Sequence, residues 1–394
     1  MKSIAQIFFI YFLIELLIYV YIKTISKVNK WILLKKDLNS LFEKKKFFFF
    51  KENNYNYELG WDKKPNSANF DLNNQEKIFY SIDKKGFRSS KYKNKRNTIA
   101  SFGDSYTFCR QVENSKTWQE ILTKKRGEFI ANYGVGNYGL DQSFLKYKKT
   151  LINKSTKIII FGFVPETICR IQSCWKYYLE FGNLHGFKPF CIIKNKKLYL
   201  KKNILKIHSK FDDLKEIIIK TRKLDRFYRL KYKQHVFKYP YIFSFLKNFL
   251  LNVRIFSTLI KSLIKKKSFK NSFEKNTFPL IMENNIKMSH KLYCENYSKN
   301  LLKKLIEKIS KEVKNNTKCY FVIFPQLFDL KLKSRKYYQK FFKELKIDCN
   351  IIDLTNNFLA HKNYKKLFIN DKYGGHLNYK GNLLVANVLQ NQID

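Results

Sequence analysis

The chain has 394 residues, with 78 Lys and Arg against 31 Asp and Glu for a formal charge of +47, and is 45 % apolar and 17 % aromatic. That apolar content excludes a wholly disordered chain, and 13 Gly with 6 Pro exclude collagen-like and Gly-Ser linker architectures. The Lys excess runs along nearly the whole chain beside abundant Asn, Ile, Phe and Tyr, all residues with AT-rich codons, so the charge reads as compositional and no nucleic-acid partner is expected.

The first element is Ile4–Ile22, an apolar run of bilayer-spanning length. Gln6 and Glu15 weaken it, and Glu15 would cost about 3 kcal/mol at mid-membrane. The run exceeds a signal-peptide core, and no small-residue cleavage site follows. Residues 1–22 are therefore expected to form a single uncleaved anchor rather than a helix lying on the membrane surface. Lys23, Lys27, Lys30, Lys35 and Lys36 follow the run and only Lys2 precedes it, which points the main domain to the cytoplasm. In so lysine-rich a chain that rule discriminates poorly, and the side stays open. Residues 23–95 read as a juxtamembrane stalk, with a Phe47–Phe50 run, and an N-terminal extension.

From residue 96 the pattern changes. Thr98–Phe102 is a short apolar run ending at Gly103, a buried strand meeting a turn. Thr117 and Glu120 have the spacing of a capping box that opens a helix. Ile130–Tyr133 reads as a second strand, followed by the glycine-rich Gly134–Gly139. Lys157–Phe163 and Cys319–Phe324 are further buried strands, and Leu301–Val313 and Gly381–Leu389 have helical patterns. Strands alternating with helices predict an α/β domain around a parallel sheet over 96–394. The basic, aromatic stretch from about 171 to 317 breaks this rhythm and reads as a helical insertion. Within it, Tyr241–Ile260 is a helical run flanked by Lys238 and Lys261. Lys247, Asn248, Asn252 and Arg254 interrupt it and argue against a second membrane segment. The seven Cys form no CxxC pair and no zinc-ligand spacing, and an odd total argues against a disulfide framework despite the nearness of Cys169 and Cys174. No metal or cofactor is expected, since phosphate-binding glycine loops are absent too.

Three stretches carry chemistry. Gly103-Asp104-Ser105 puts a serine on a tight turn at the C-terminal edge of a parallel strand, where α/β proteins bind ligands, although the tripeptide alone is common. A hydroxyl nucleophile needs a base, and His376, in the glycine-rich loop before an apolar helix, is the one histidine of six in such a setting; alone, it would read as a surface or cap residue. Asn132 to Gln142 (NYGVGNYGLDQ) brings glycines that let backbone amides approach a ligand, though it also suits a plain strand-to-helix turn.

Together, Gly-Asp-Ser, then Asn-x-Gly-x-x-x-Tyr-Gly-x-Asp-Gln, then Gly-His-Leu-Asn-x-x-Gly-Asn resemble the SGNH (GDSL-type) hydrolases, and more narrowly their membrane-anchored bacterial branch. Gly60-Trp61 to Pro65-Asn66 and Asp83–Arg88 resemble the segment preceding the nucleophile there. The likeness covers 60–170 and 318–390. It implies a three-layer, flavodoxin-like parallel sheet, Ser105 as nucleophile and His376 as general base. The Ser105 backbone N–H would be one oxyanion donor. Three departures stand out. The family's Asp three residues before the histidine is Tyr373 here, and the nearest carboxylate is Asp371, which Gly374-Gly375 leave room to fold back. Asp104, beside the nucleophile, is the weaker alternative. The family's second donor glycine aligns with Asn137, beside Gly136. The Gly-x-Asn-Asp block reads Gly162-Phe163-Val164-Pro165-Glu166, without the Asn.

The implied activity is hydrolysis of an acyl ester, with acetyl as the expected group, and the implied partners are an acyl-ester substrate, an envelope glycan and the membrane. Two alternatives stay open: transfer of the acyl group to a sugar hydroxyl of an envelope polysaccharide, and a non-catalytic, membrane-tethered glycan-binding protein.

Overall fold

The computed structural model describes residues 2–28, 42–73, 76–152, 155–180, 183–264, 269–313, 317–369 and 375–393. The N-terminal run forms one helix, α1 (Lys2–Val28), longer than the expected 1–22. Its segment Ser3–Ser26 is long and apolar enough to cross a membrane, a property it shares with a signal sequence. Most of its side chains up to Val20 are exposed, while Ile18, Tyr21, Ile22 and Ile25 are buried against Phe237, Ile255 and Leu259.

The main body follows in the order β1 (Asn97–Gly103), α2 (Ser105–Phe108), α3 (Trp118–Arg126), β2 (Phe129–Asn132), α4 (Leu140–Lys149) and β3 (Ile158–Phe163). Within the stretch expected as an insertion lie α5 (Tyr241–Lys247), α6 (Phe249–Ile264), α7 (Phe269–Leu292) and α8 (Asn296–Glu312), before β4 (Lys318–Ile323), β5 (Asn350–Asp353) and α9 (Tyr379–Gln392). Half of the expected capping box is present: the Thr117 hydroxyl accepts the Glu120 N–H at 3.2 Å, while the Thr117 N–H goes to the Asn114 carbonyl instead of the Glu120 side chain, and Gly127 ends α3 at φ 76°.

The five strands pair in parallel in the order β2-β1-β3-β4-β5. Alternating side chains send each strand's apolar residues to both faces, as continuous apolar runs in a doubly covered sheet require. Ala100, Phe102, Ile159, Phe161, Phe321 and Ile323 pack on α4 and α8 through Phe144, Tyr147, Leu301 and Leu305. Ile99, Ile130, Ile158, Ile160, Tyr320 and Val322 pack on α3 and α9 through Trp118, Leu122, Val385 and Leu389. Each such side chain contributes roughly 1.5–3 kcal/mol by leaving water, so the sheet and its two helix layers are the rigid frame for whatever lies at the strand ends.

Two features differ from the sequence pattern. Residues 42–61 join the body: Phe42 and Phe47 belong to the core on the α4 side, and Leu59 is buried with Val135 and Tyr138. The run Tyr241–Ile260 is two helices, because α5 and α6 meet at Asn248 with a 103° bend.

Candidate active site

The turn after β1 is set by close backbone packing. Gly103 lies opposite Gly162 of β3. A Cβ on Gly103 would sit 2.0 Å from the Gly162 carbonyl oxygen and 2.1 Å from Thr107 Oγ1. The Thr107 hydroxyl fills this gap and donates to the Gly162 carbonyl at 3.0 Å. Only glycine at both positions lets α2 start this close to the sheet, which brings Ser105 to the strand end.

Asp104 caps the turn. Its Oδ1 accepts the Tyr106 N–H at 2.9 Å, and its Oδ2 accepts the Val164 N–H at 3.0 Å with Arg170 Nη1 at 3.4 Å. Arg170 also pairs with Glu166 at 2.8 Å and donates to the Tyr138 carbonyl. All three charged side chains are buried. Burial lifts the Asp104 carboxyl above its ordinary range, against the pull of Arg170 and the two N–H donors. For Arg170 burial acts to lower the pKa, but Glu166 and Asp104 outweigh it and raise the value. The Asp104 carboxylate is thus held beneath the turn by Tyr106, Val164 and Arg170, with His376 near enough to pull its pKa down as well.

Ser105 and His376, 271 residues apart, meet: His376 Nε2 lies 3.0 Å from Ser105 Oγ. Both are buried, at 5 % and 8 % exposure, so little water competes for the bond. The histidine is held from several sides. Ile369 N–H donates to its carbonyl at 2.8 Å, and Phe368 bridges Leu377. Tyr106 OH donates to the Gly375 carbonyl at 2.7 Å, with the tyrosine ring 5.3 Å from the imidazole. Gly375 takes φ 84°, a left-handed conformation that favours glycine. Beyond it, Asn378 caps α9 by accepting the Gly381 N–H at 3.1 Å, and Gly381 lies against the Leu367 carbonyl. The Gly-His-Leu-Asn-x-x-Gly motif is therefore a helix start that aims the histidine. Asp371, Tyr373 and Gly374 lie outside the described residues.

The second glycine block is tied to β1. Val135 N–H donates to the Gly103 carbonyl at 2.9 Å, and a Cβ on Gly134 would sit 2.3 Å from Phe108 N. Gly136 borders open space, and Asn137 is left-handed at φ 66°. Trp61 Nε1 donates to the Gly136 carbonyl at 3.0 Å. In a trans peptide the N–H points opposite to its C=O, so the Asn137 N–H faces away from Trp61. Among the described residues, no protein acceptor takes the backbone N–H of Ser105, Gly136 or Asn137. Three donors at the strand end suit a developing oxyanion.

The rest of the block is scaffolding. Tyr138 OH donates to the Trp61 carbonyl at 2.5 Å, Gln142 Nε2 to the Leu59 carbonyl at 2.6 Å, and Asp141 pairs with the fully buried Lys188 at 2.6 Å. Sequence reasoning missed Lys188, Arg170 and Tyr106. Only the i,i+4 spacing of Glu166 and Arg170 carried a local signal. Val164, through its backbone N–H, and Glu166, through its carboxylate, serve the Asp104–Arg170 network. Compared with known proteins, the chain matches no family model and no curated protein.

Proposed function

We propose that the chain is a serine ester hydrolase of the SGNH type, anchored to a membrane by α1. The 3.0 Å approach of His376 Nε2 to Ser105 Oγ carries this reading. The strand order, which is the flavodoxin-like order, and the position of Ser105 at a C-terminal strand end support it. Burial of Ile18, Tyr21, Ile22 and Ile25 against the body favours retention of α1 over cleavage.

In the proposed reaction His376 Nε2 takes the Ser105 hydroxyl proton as Oγ bonds to the acyl carbon. The carbonyl oxygen gains the negative charge and is met by the Ser105 N–H and those of Gly136 and Asn137; one such donor is worth about 10²–10³ in turnover. Collapse breaks the bond to the alcohol, which takes the proton from His376. Water, deprotonated by His376, then attacks the acyl-serine; the Oγ–acyl bond breaks, His376 returns the proton to Ser105 Oγ, and the acid leaves. Asp371 is the proposed partner of the other ring nitrogen, stabilising the imidazolium.

The test is fluorophosphonate labelling of the detergent-solubilised full chain, with p-nitrophenyl acetate hydrolysis measured in parallel. Wild type should label and turn over, and Ser105→Ala should lose both while keeping the wild-type melting transition. A well-folded wild type that neither labels nor hydrolyses the ester would overturn the reading.

A further inference from the structure

Helix α6 presents three distinct faces. At about 100° per residue, Asn252, Ile255, Leu259 and Ser262 fall on one side, and all four are buried. Phe249, Val253, Phe256, Ile260 and Leu263 form a second, adjacent stripe, and all are exposed, at 49, 40, 39, 41 and 58 %. Arg254, Ser257 and Lys261 fall on the third, beside the exposed Leu250. A helix facing water would carry its polar residues where this one carries an unbroken apolar stripe. An apolar stripe flanked by basic residues is the pattern of a helix lying in a membrane interface.

The placement agrees. The buried face of α6 shares a core cluster with α1, Ile255 and Leu259 belonging with Ile18, Tyr21, Ile22 and Ile25, and Tyr21 OH donates to the Asn252 carbonyl at 3.3 Å. The exposed apolar surfaces of the two helices therefore adjoin. Glu15, the one carboxylate of α1, does not face outward: its oxygens accept the Tyr241 and Ile242 N–H groups at the start of α5, at 2.7 and 2.9 Å, and it is 5 % exposed. The insertion thus removes from lipid the group that most weakens α1 as a membrane helix. With 16 residues α6 is about 24 Å long, short of the roughly 30 Å hydrocarbon core, and the 103° bend at Asn248 turns the chain back.

We propose that α5 and α6 form a membrane-embedded pad beside α1, with the Phe249–Leu263 stripe among lipid acyl chains and Arg254 and Lys261 at the headgroups. This rests on the reading of α1 as a membrane helix. The pad enters one leaflet and does not cross. It makes a second attachment, so the body is held in one orientation to the bilayer rather than swinging on α1. That orientation reaches the catalytic turn: α7 packs on α6, and Tyr293, one residue past α7, donates through its OH to the Pro165 carbonyl at 2.6 Å, next to the Val164 that bonds Asp104.

The test reconstitutes the full chain in phosphatidylethanolamine–phosphatidylglycerol vesicles and photolabels it with a lipid-dissolved aryl diazirine, mapping adducts by mass spectrometry. Adducts are expected on the α6 stripe within a few-fold of those on Ile7–Leu17, with Ile255 and Leu259 unlabelled. Ile260→Glu, at an exposed position, should cut α6 labelling at least five-fold while α1 labelling and the melting transition hold. Labelling of α1 with none on α6 overturns the pad and leaves the anchor standing. Labelling of neither overturns the anchor reading itself. An α6 stripe that is unlabelled but cross-links between copies identifies a second chain as its cover, which also refutes the lipid assignment.

Discussion

Gly103→Ala tests whether the turn that carries Ser105 depends on the contact among Gly103, Gly162 and Thr107. The added methyl would lie 2.0 Å from the Gly162 carbonyl oxygen, where ordinary contact begins at 3.4 Å, so the two must part by 3.4 − 2.0 = 1.4 Å. Neighbouring strands are only about 4.8 Å apart, and the obstacle is backbone, which cannot rotate away. Overpacking costs about 1–3 kcal/mol. Displacing Thr107, 2.1 Å from the methyl, also breaks its bond to Gly162, worth about 1 kcal/mol. A loss of about 2–4 kcal/mol is expected, a large share of the 5–15 kcal/mol typical of domains. Gly136→Ala is the control: its methyl meets nothing within 4 Å and its φ is not positive, so a loss below about 1 kcal/mol is expected. Urea unfolding of both variants in detergent, followed by tryptophan fluorescence, reads the difference. Equal stability of Gly103→Ala and wild type would refute the close-packing account of this turn.

Asp371→Asn should lower p-nitrophenyl acetate turnover by about 10²–10⁴ with a stability change below about 1 kcal/mol; near-full activity would mean a Ser–His dyad. Lys231 is buried beside the Leu179 carbonyl, and burial lowers its pKa from 10.5 to about 8, partly offset by Glu166 and Glu180. Between those values the unfolded chain binds the extra proton, so stability rises with pH. Lys231→Met should remove about 2 kcal/mol of the gain seen between pH 7.5 and 9.5 in urea midpoints, and an unchanged gain would remove Lys231 as its source.

The sheet was legible where burial leaves a continuous apolar run. Thr98–Phe102, Ile130–Tyr133, Lys157–Phe163 and Cys319–Phe324 correspond to β1 to β4 within a residue or two. β5 was not, because Asn350–Asp353 is a half-buried edge strand with only two isoleucines. The hairpin Phe190–Lys194 with Lys197–Lys201 also escaped reading: its turn uses left-handed Asn195 and Lys196, without the glycine that usually marks such a turn. At the site, Ser105 and His376 were legible because glycine turns and helix starts are local signals. The groups behind them were not. Arg170 reaches Asp104 across 66 residues and Lys188 reaches Asp141 across 47, and neither distance leaves a periodic trace.

The bond between the Trp61 indole and the Gly136 carbonyl shifts where the working unit of the candidate site begins. Counted along the chain, the residues with chemistry start at Gly103, and the likeness to known motifs reaches back only to Gly60. Counted in space, Leu59 and Trp61 are the back wall of the loop that presents Gly136 and Asn137, and Phe42 and Phe47 are bricks of the sheet's own core. A fragment cut just ahead of β1 would keep Ser105 and His376 yet lose the wall behind the Gly136–Asn137 loop. The smallest portable form of this site starts ahead of Phe42, only 14 residues after the last residue of α1 (42 − 28).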